Sequence, residues 1–170
     1  MVTAMKKRIL LICVVLVFAF SLVACNELTS LLGGGDVTGQ VGKTYKTQWF
    51  NFTVKSIEIV DSYADYKPKE GNVLVDVVVK EVSTFSSPIP MGTFDFYFDH
   101  NSFAEYVWPM DPLNDTMMPE EFSLVKGETV EYHMVFELPK GYADLSLMYT
   151  EYDEQENIGV TFSIPFSTIK

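Results

Sequence analysis

The chain has 170 residues, enough for one domain with a proper core, and 23 acidic against 12 basic residues give a net charge of −11. That balance argues against nucleic acid as a partner, because such binding relies on Lys and Arg neutralising phosphates. Two cysteines are too few for a disulfide framework or a cysteine-based zinc site.

The N-terminus opens with a basic cluster, Lys6-Lys7-Arg8, followed by an apolar run from Ile9 to Leu22 that only Ser21 interrupts. A run of this length suits the core of an export signal and falls short of the roughly 20 residues a membrane helix needs. It ends in Leu22-Val23-Ala24-Cys25, which resembles the lipobox of bacterial lipoproteins. A small Ala24 gives a peptidase access, and the Cys25 thiolate is the nucleophile that accepts a lipid. Residues 1–24 are therefore read as a lipoprotein signal peptide and Cys25 as the lipid-attachment site, with at least a diacylglyceryl group implied by the resemblance. An uncleaved anchor is the alternative, and both arrangements place the remainder outside the cytoplasmic membrane. Residues 1–24 hold three bases and no acid, so the mature chain of 146 residues has nine bases against 23 acids, net −14. Residues 25–40, with Gly33-Gly34-Gly35 among them, read as a flexible tether.

From Val41 to the C-terminus the apolar residues recur with period two. Phe50, Phe52 and Val54 share one phase and Ile57 and Ile59 the other, which places a bulge near Lys55-Ser56. Val73, Val75, Val77 and Val79 form one face of the next strand, and Leu74 and Val78 on the other make it a central strand. Phe94, Phe96 and Phe98 alternate into the core. Met117 to Phe122 reads as a helical turn with Pro119 near its start. Val130 to Leu138, Leu145 to Tyr149 and Val160 to Phe166 alternate in the same way, with turn residues such as Lys126-Gly127 and Pro139-Lys140-Gly141 between runs. Seven or eight short strands without a long helix predict an all-β, immunoglobulin-like two-sheet sandwich over residues 41–170.

Two stretches resemble a domain-of-unknown-function family of secreted lipoproteins of Gram-positive bacteria. One runs from Val41-Gly42-Lys43 to the turn Lys67-Pro68-Lys69-Glu70-Gly71-Asn72 and Val73-Leu74-Val75-Asp76-Val77. The other runs from Leu124-Val125-Lys126-Gly127-Glu128 to Phe136-Glu137-Leu138-Pro139. The resemblance implies an immunoglobulin-like fold, similar to a secreted mycobacterial immunogenic antigen, and no catalytic residues. The automatic telomeric-repeat-binding name some members carry conflicts with the −14 charge and the export signal. This chain has Glu81 where the family commonly has Asn, so a different turn is expected there.

Few residues invite a chemical role. His133 lies on the outward phase of its strand and reads as a surface residue, with no Ser or Cys motif nearby to form a nucleophile–base pair. Asp99, His100, Asn101, Glu105, Asp111 and Asp115 form an oxygen-rich segment, but its spacing fits no calcium loop, so no metal site or other cofactor is expected. Tyr149, Glu151, Tyr152, Asp153, Glu154 and Glu156 form an acidic, aromatic hairpin tip that reads as a solvated turn or a rim for a cationic partner. Tyr97, Tyr106 and Trp108 exceed what core filling requires and are the candidate interaction patch. The expectation is a non-catalytic, lipid-anchored cell-surface protein whose binding domain meets a protein, peptide or glycan. The alternative is a solute- or metal-binding lipoprotein working beside a transporter. An enzyme ranks last, because the acid, base and nucleophile groupings are missing.

Overall fold

The computed structural model describes residues 35–100, 105–152 and 158–169. Residues 1–24, Cys25 and most of the tether lie outside the described residues, as do Asn101 and residues 153–157.

The period-two segments fold into a two-sheet β-sandwich, as the sequence led one to expect. The strands are β1 (Asp36–Thr38), β2 (Thr44–Lys46), β3 (Phe50–Val60), β4 (Asn72–Ser83), β5 (Ile89–Met91), β6 (Phe96–Asp99), β7 (Phe122–Leu124), β8 (Thr129–Pro139), β9 (Leu145–Tyr152) and β10 (Ile158–Phe166). One sheet has the order β1-β10-β9-β6 and the other β2-β3-β4-β8, with β5 and β7 forming a separate ribbon. Within the described residues the compact unit begins at Asp36, ahead of the expected boundary at Val41. Residues assigned to the tether thus supply β1, which runs parallel to β10 and packs Val37 against the core.

The pairing bears out two expectations in detail. The β3–β4 register shifts between Val54 and Ser56, so the phase change does mark a bulge. β4 lies between β3 and β8, and its valines at 75, 77 and 79 are fully buried. The core is dense in aromatics: Phe52 lies 5.3 Å, centroid to centroid, from both Tyr149 and Phe162 and 5.5 Å from Phe96. Such tilted and edge-on pairs add specific attraction to the burial of a large apolar surface.

Leu74 explains why β4 is apolar on its outer face too. It packs with Met117 and Val135 in a second small core, joined by Val60, Tyr63, Tyr66 and Met110. The chain around Met117 makes this possible by lying along the edge strand β8. The His133 N–H donates to the Thr116 carbonyl at 3.0 Å, and the Met118 N–H donates to the His133 carbonyl at 2.9 Å. That pairing requires extended backbone, so the helical turn expected over Met117 to Phe122 does not form. An unpaired sheet edge is costly in hydrogen bonds, and covering it outweighs the weak local signal of Pro119.

Further corrections concern Glu81 and Phe94. No turn occurs at Glu81, because β4 continues to Ser83 and keeps Glu81 on the inward phase. Phe94 is not a core residue: it lies in a 3-10 turn, Thr93–Asp95, and is 59% exposed. The turn breaks the alternation that would have carried it inside.

Candidate functional site

The site arises from a mismatch in strand length. β6 pairs with β9 only from Asp99 opposite Ser146 to Phe96 opposite Tyr149. β9 runs on to Tyr152, so Thr150, Glu151 and Tyr152 have no β6 partner and leave a notch at the edge of the sheet. The turn before β6 frames this notch. Its Gly92 passes so close to the neighbouring chain that a Cβ there would sit 2.0 Å from the Glu120 carbonyl oxygen. The Gly92 N–H donates to Asp95 Oδ2 at 2.8 Å, which orients that carboxylate.

A cavity of about 430 Å³ occupies the notch, lined by Trp49, Phe50, Phe85, Pro88, Ile89, Pro90, Met91, Phe94, Asp95, Tyr97, Trp108, Tyr149, Thr150 and Tyr152. That volume lies in the range of small-ligand sites, which combine apolar walls with a few polar groups. The aromatic walls belong to linked sets. Trp49 meets Phe85 edge-on at 4.6 Å, and its indole N–H donates to the Tyr152 carbonyl at 3.2 Å. Trp108 lies 5.1 Å from Tyr97 and 5.9 Å from Phe94, and Tyr97 lies 4.5 Å from Tyr106. The Tyr97 hydroxyl is 3.0 Å from Thr150 Oγ1 on β9, which fixes its ring against the sheet.

The structure therefore brings Tyr97, Tyr106 and Trp108 together, with Tyr106 51% and Trp108 42% exposed. Phe94 and Tyr152, 59% and 52% exposed, extend the patch. Sequence reasoning missed Trp49, Phe85 and Asp95, and it placed Tyr152 in a separate acidic tip. Trp49 and Tyr152 are 103 residues apart, and no local pattern announces that they meet.

Behind the aromatic walls the sandwich holds an unusual set of acids. Glu81 is completely buried, and neither of its carboxyl oxygens has a hydrogen-bond partner among the described residues. Burial, with a contribution from the charge of Asp95, pushes its pKa up to about 8. Burial also raises Asp95 to about 6, against the lowering effect of the Gly92 N–H. Glu151 is raised by burial too, although it accepts hydrogen bonds from the Gln48 N–H and the Thr47 side chain. The hydroxyl of Tyr149 is pushed up by burial and by the neighbouring acids Asp95, Glu151 and Glu81. The signal for Glu81 was present in the sequence, because the inward phase of Val73 to Val79 continues onto it.

The remaining candidates lie elsewhere. His133 keeps its outward phase and is half-buried, with Nδ1 2.9 Å from Asp76 Oδ1. Among the described residues, no three His, Cys, Asp or Glu side chains come together as metal ligands; this covers Asp99, His100, Glu105, Asp111 and Asp115.

No family model and no curated protein matches the chain. Solved structures do resemble it. The yjhA protein of Bacillus subtilis aligns with a TM-score of 0.58 at 18% identity, over 74% of this chain and 98% of its own. A β-sandwich protein of Clostridium difficile 630 aligns with a TM-score of 0.51 at 13% identity, over 76% and 95%. The ycdA protein of Bacillus subtilis strain 168, provisionally assigned as a lipoprotein, gives a TM-score of 0.55 at 19% identity over 72% of this chain. The match spans only 38% of ycdA, so this chain corresponds to well under half of that protein. These similarities share a β-sandwich fold, and none concerns the mycobacterial antigen.

Proposed function

We propose that the protein is a lipid-anchored, non-catalytic binding protein of the outer cell surface, and that the aromatic notch at the end of β9 is its ligand site. One observation carries the binding reading: both tryptophans of the chain line the same cavity, although they come from segments far apart in sequence. Aromatic side chains left partly exposed around a formed cavity are the usual material of recognition sites. A cavity, as opposed to a flat patch, favours a small solute or a single side chain over a broad protein surface. The polar groups offered to a ligand are one carboxylate and several hydroxyls. No nucleophile–base pair accompanies them among the described residues, which supports a binding role over a catalytic one.

The anchor rests on the Leu22-Val23-Ala24-Cys25 sequence and is supported by the fold shared with ycdA. The strongly acidic mature chain fits a domain that stays soluble and held off other anionic surfaces.

A thermal-shift panel of organic cations, sugars, amino acids and short peptides tests the binding reading, with Trp108→Ala run in parallel. A ligand that binds only the folded state must raise Tm. The expected result is at least one compound class that stabilises the full chain and loses its effect in the variant. Stabilisation that never depends on Trp108, across the whole panel, removes the notch as the site.

A further inference from the structure

We infer that the notch takes a weakly hydrated organic cation, a quaternary or methylated ammonium group held against the aromatic faces beside Asp95. The inference rests on the notch being the ligand site and goes on to name the chemistry it selects.

The composition of the cavity carries the argument. Eight of its fourteen lining residues are aromatic, and Asp95 is the one charged group among them. The electron-rich face of an indole or phenol ring attracts a cation, and Trp does so most strongly. Rings drawn from separate segments can contact several methyl groups of one ammonium at once. Trp49 immediately precedes β3, Phe94 lies in the turn before β6, Tyr97 lies on β6 itself, and Trp108 belongs to the chain beyond it.

Charge complementarity sets the sign of the ligand. The only hydrogen bond described for the Asp95 carboxylate is from the Gly92 N–H, and no Lys, Arg or His lines the cavity to neutralise it. Glu81, whose burial keeps it largely protonated at neutral pH, adds no positive charge to offset Asp95. An anionic ligand would meet only repulsion here.

The same composition selects against a metal ion. Calcium needs six to eight oxygen ligands, and magnesium holds its water tightly. One carboxylate and a few hydroxyls spread among aromatic rings offer neither ion a full oxygen shell, and no metal-ligand cluster occurs among the described residues. A quaternary ammonium carries its charge on methyl groups, sheds water readily and asks for aromatic faces in place of oxygen donors.

The two tryptophans make the test simple, because both report from the cavity. The full chain, in a nonionic detergent, is titrated with tetramethylammonium and with choline while tryptophan emission is followed. Sodium chloride at equal ionic strength and the neutral carbon isostere of choline, with a tert-butyl group replacing the trimethylammonium, are the controls. The expected result is a saturable change with both cations, about tenfold weaker binding of the neutral isostere, and no saturation with sodium. Asp95→Asn keeps an acceptor for the Gly92 N–H and should weaken cation binding about tenfold without lowering Tm. Trp108→Ala, at an exposed ring, should weaken it as well, with Trp49 left as the reporter.

If the isostere binds as tightly as choline, and Trp108→Ala abolishes both, the notch is a ligand site but its selectivity is apolar and the cation inference is overturned. Stabilisation by a sugar or a proline-rich peptide, with no response to either cation, overturns it in the same way while leaving the site in place. If the cations fail and no compound in the wider panel depends on Trp108, the notch itself is overturned as a ligand site.

Discussion

Glu81 gives the sharpest quantitative handle on this fold. It sits on the inward face of β4, between Phe52 of β3 and Val130 of β8 in the register, with both oxygens unpartnered among the described residues. Its carboxyl ionises near 4.5 in an unfolded chain and only near about 8 when folded. Between those values the unfolded state binds fewer protons than the native state, so stability must fall as pH rises. It is greatest below the unfolded value and is lost progressively until pH passes the folded one. Each pH unit inside that window removes about 1.4 kcal/mol, so the loss is about 3 kcal/mol at neutral pH and approaches about 5 kcal/mol near pH 8. Those figures are upper bounds, because local opening can admit water to the charged form.

Glu81→Gln removes the ionisation while keeping a polar amide of similar shape. Asp95 also weakens the protein as pH rises toward about 6, but its raised pKa comes from its own burial, so it contributes equally to both proteins. Urea unfolding of wild type and Glu81→Gln, followed by tryptophan fluorescence, isolates the Glu81 effect as a difference. The variant should exceed wild type by less than about 1 kcal/mol near pH 5 and by several kcal/mol near pH 8. Parallel pH profiles for the two proteins would refute the reasoning and mean that Glu81 is solvated or paired in solution.

Three other perturbations follow from the packing. Phe52→Ala empties the centre of the aromatic core and should cost about 3–5 kcal/mol in denaturant unfolding; a loss below 1 kcal/mol, again in round terms, would mean this cluster does not carry the fold. Gly92→Ala forces a methyl group into the Glu120 carbonyl and should lower stability by about 1–3 kcal/mol or more, where a neutral result would show the two segments part easily. Glu137 accepts the Tyr66 hydroxyl at 2.6 Å and the Lys69 N–H and Asn72 side chain at 2.8 Å each. Partial burial pushes that carboxyl up, but these donors outweigh it and hold its pKa below the usual range. Glu137 thus stabilises the fold above the ordinary carboxylate range, and that gain is lost as pH falls through its folded pKa, the reverse of Glu81. Glu137→Ala should free the Asp61 to Gly71 loop, cost about 1–2 kcal/mol and speed limited proteolysis there; an unchanged cleavage rate would count against this anchoring role.

The fold was legible where side chains alternate over many residues. The bulge at Lys55 and the central position of β4 both follow from phase alone, since a strand must keep its apolar residues on the core side. Legibility failed where long-range pairing overrides local pattern. Asp36–Thr38 is too short and polar to announce a strand, and it becomes one only because β10 offers an edge. The same competition extends the chain at Met117. The two motifs most telling for the family resemblance prove to be in direct contact: Lys69 and Asn72 of one donate to Glu137 of the other. Their pairing explains them as structure and leaves function elsewhere. As for the site, Tyr97, Tyr106 and Trp108 stood out as aromatic surplus. Asp95 did not, because a single acid in a turn looks like any solvated residue until Tyr152, Trp49 and Phe94 close around it.

The functional account requires a domain carried outside the cell on a lipid. The intact mass of the chain extracted from native membranes tests this most directly. The account predicts a polypeptide that begins at Cys25 and carries at least a diacylglyceryl group, with the Cys25→Ala variant lacking that lipid and leaving the membrane fraction. A soluble cytoplasmic chain that still begins at Met1 or Met5 would contradict it.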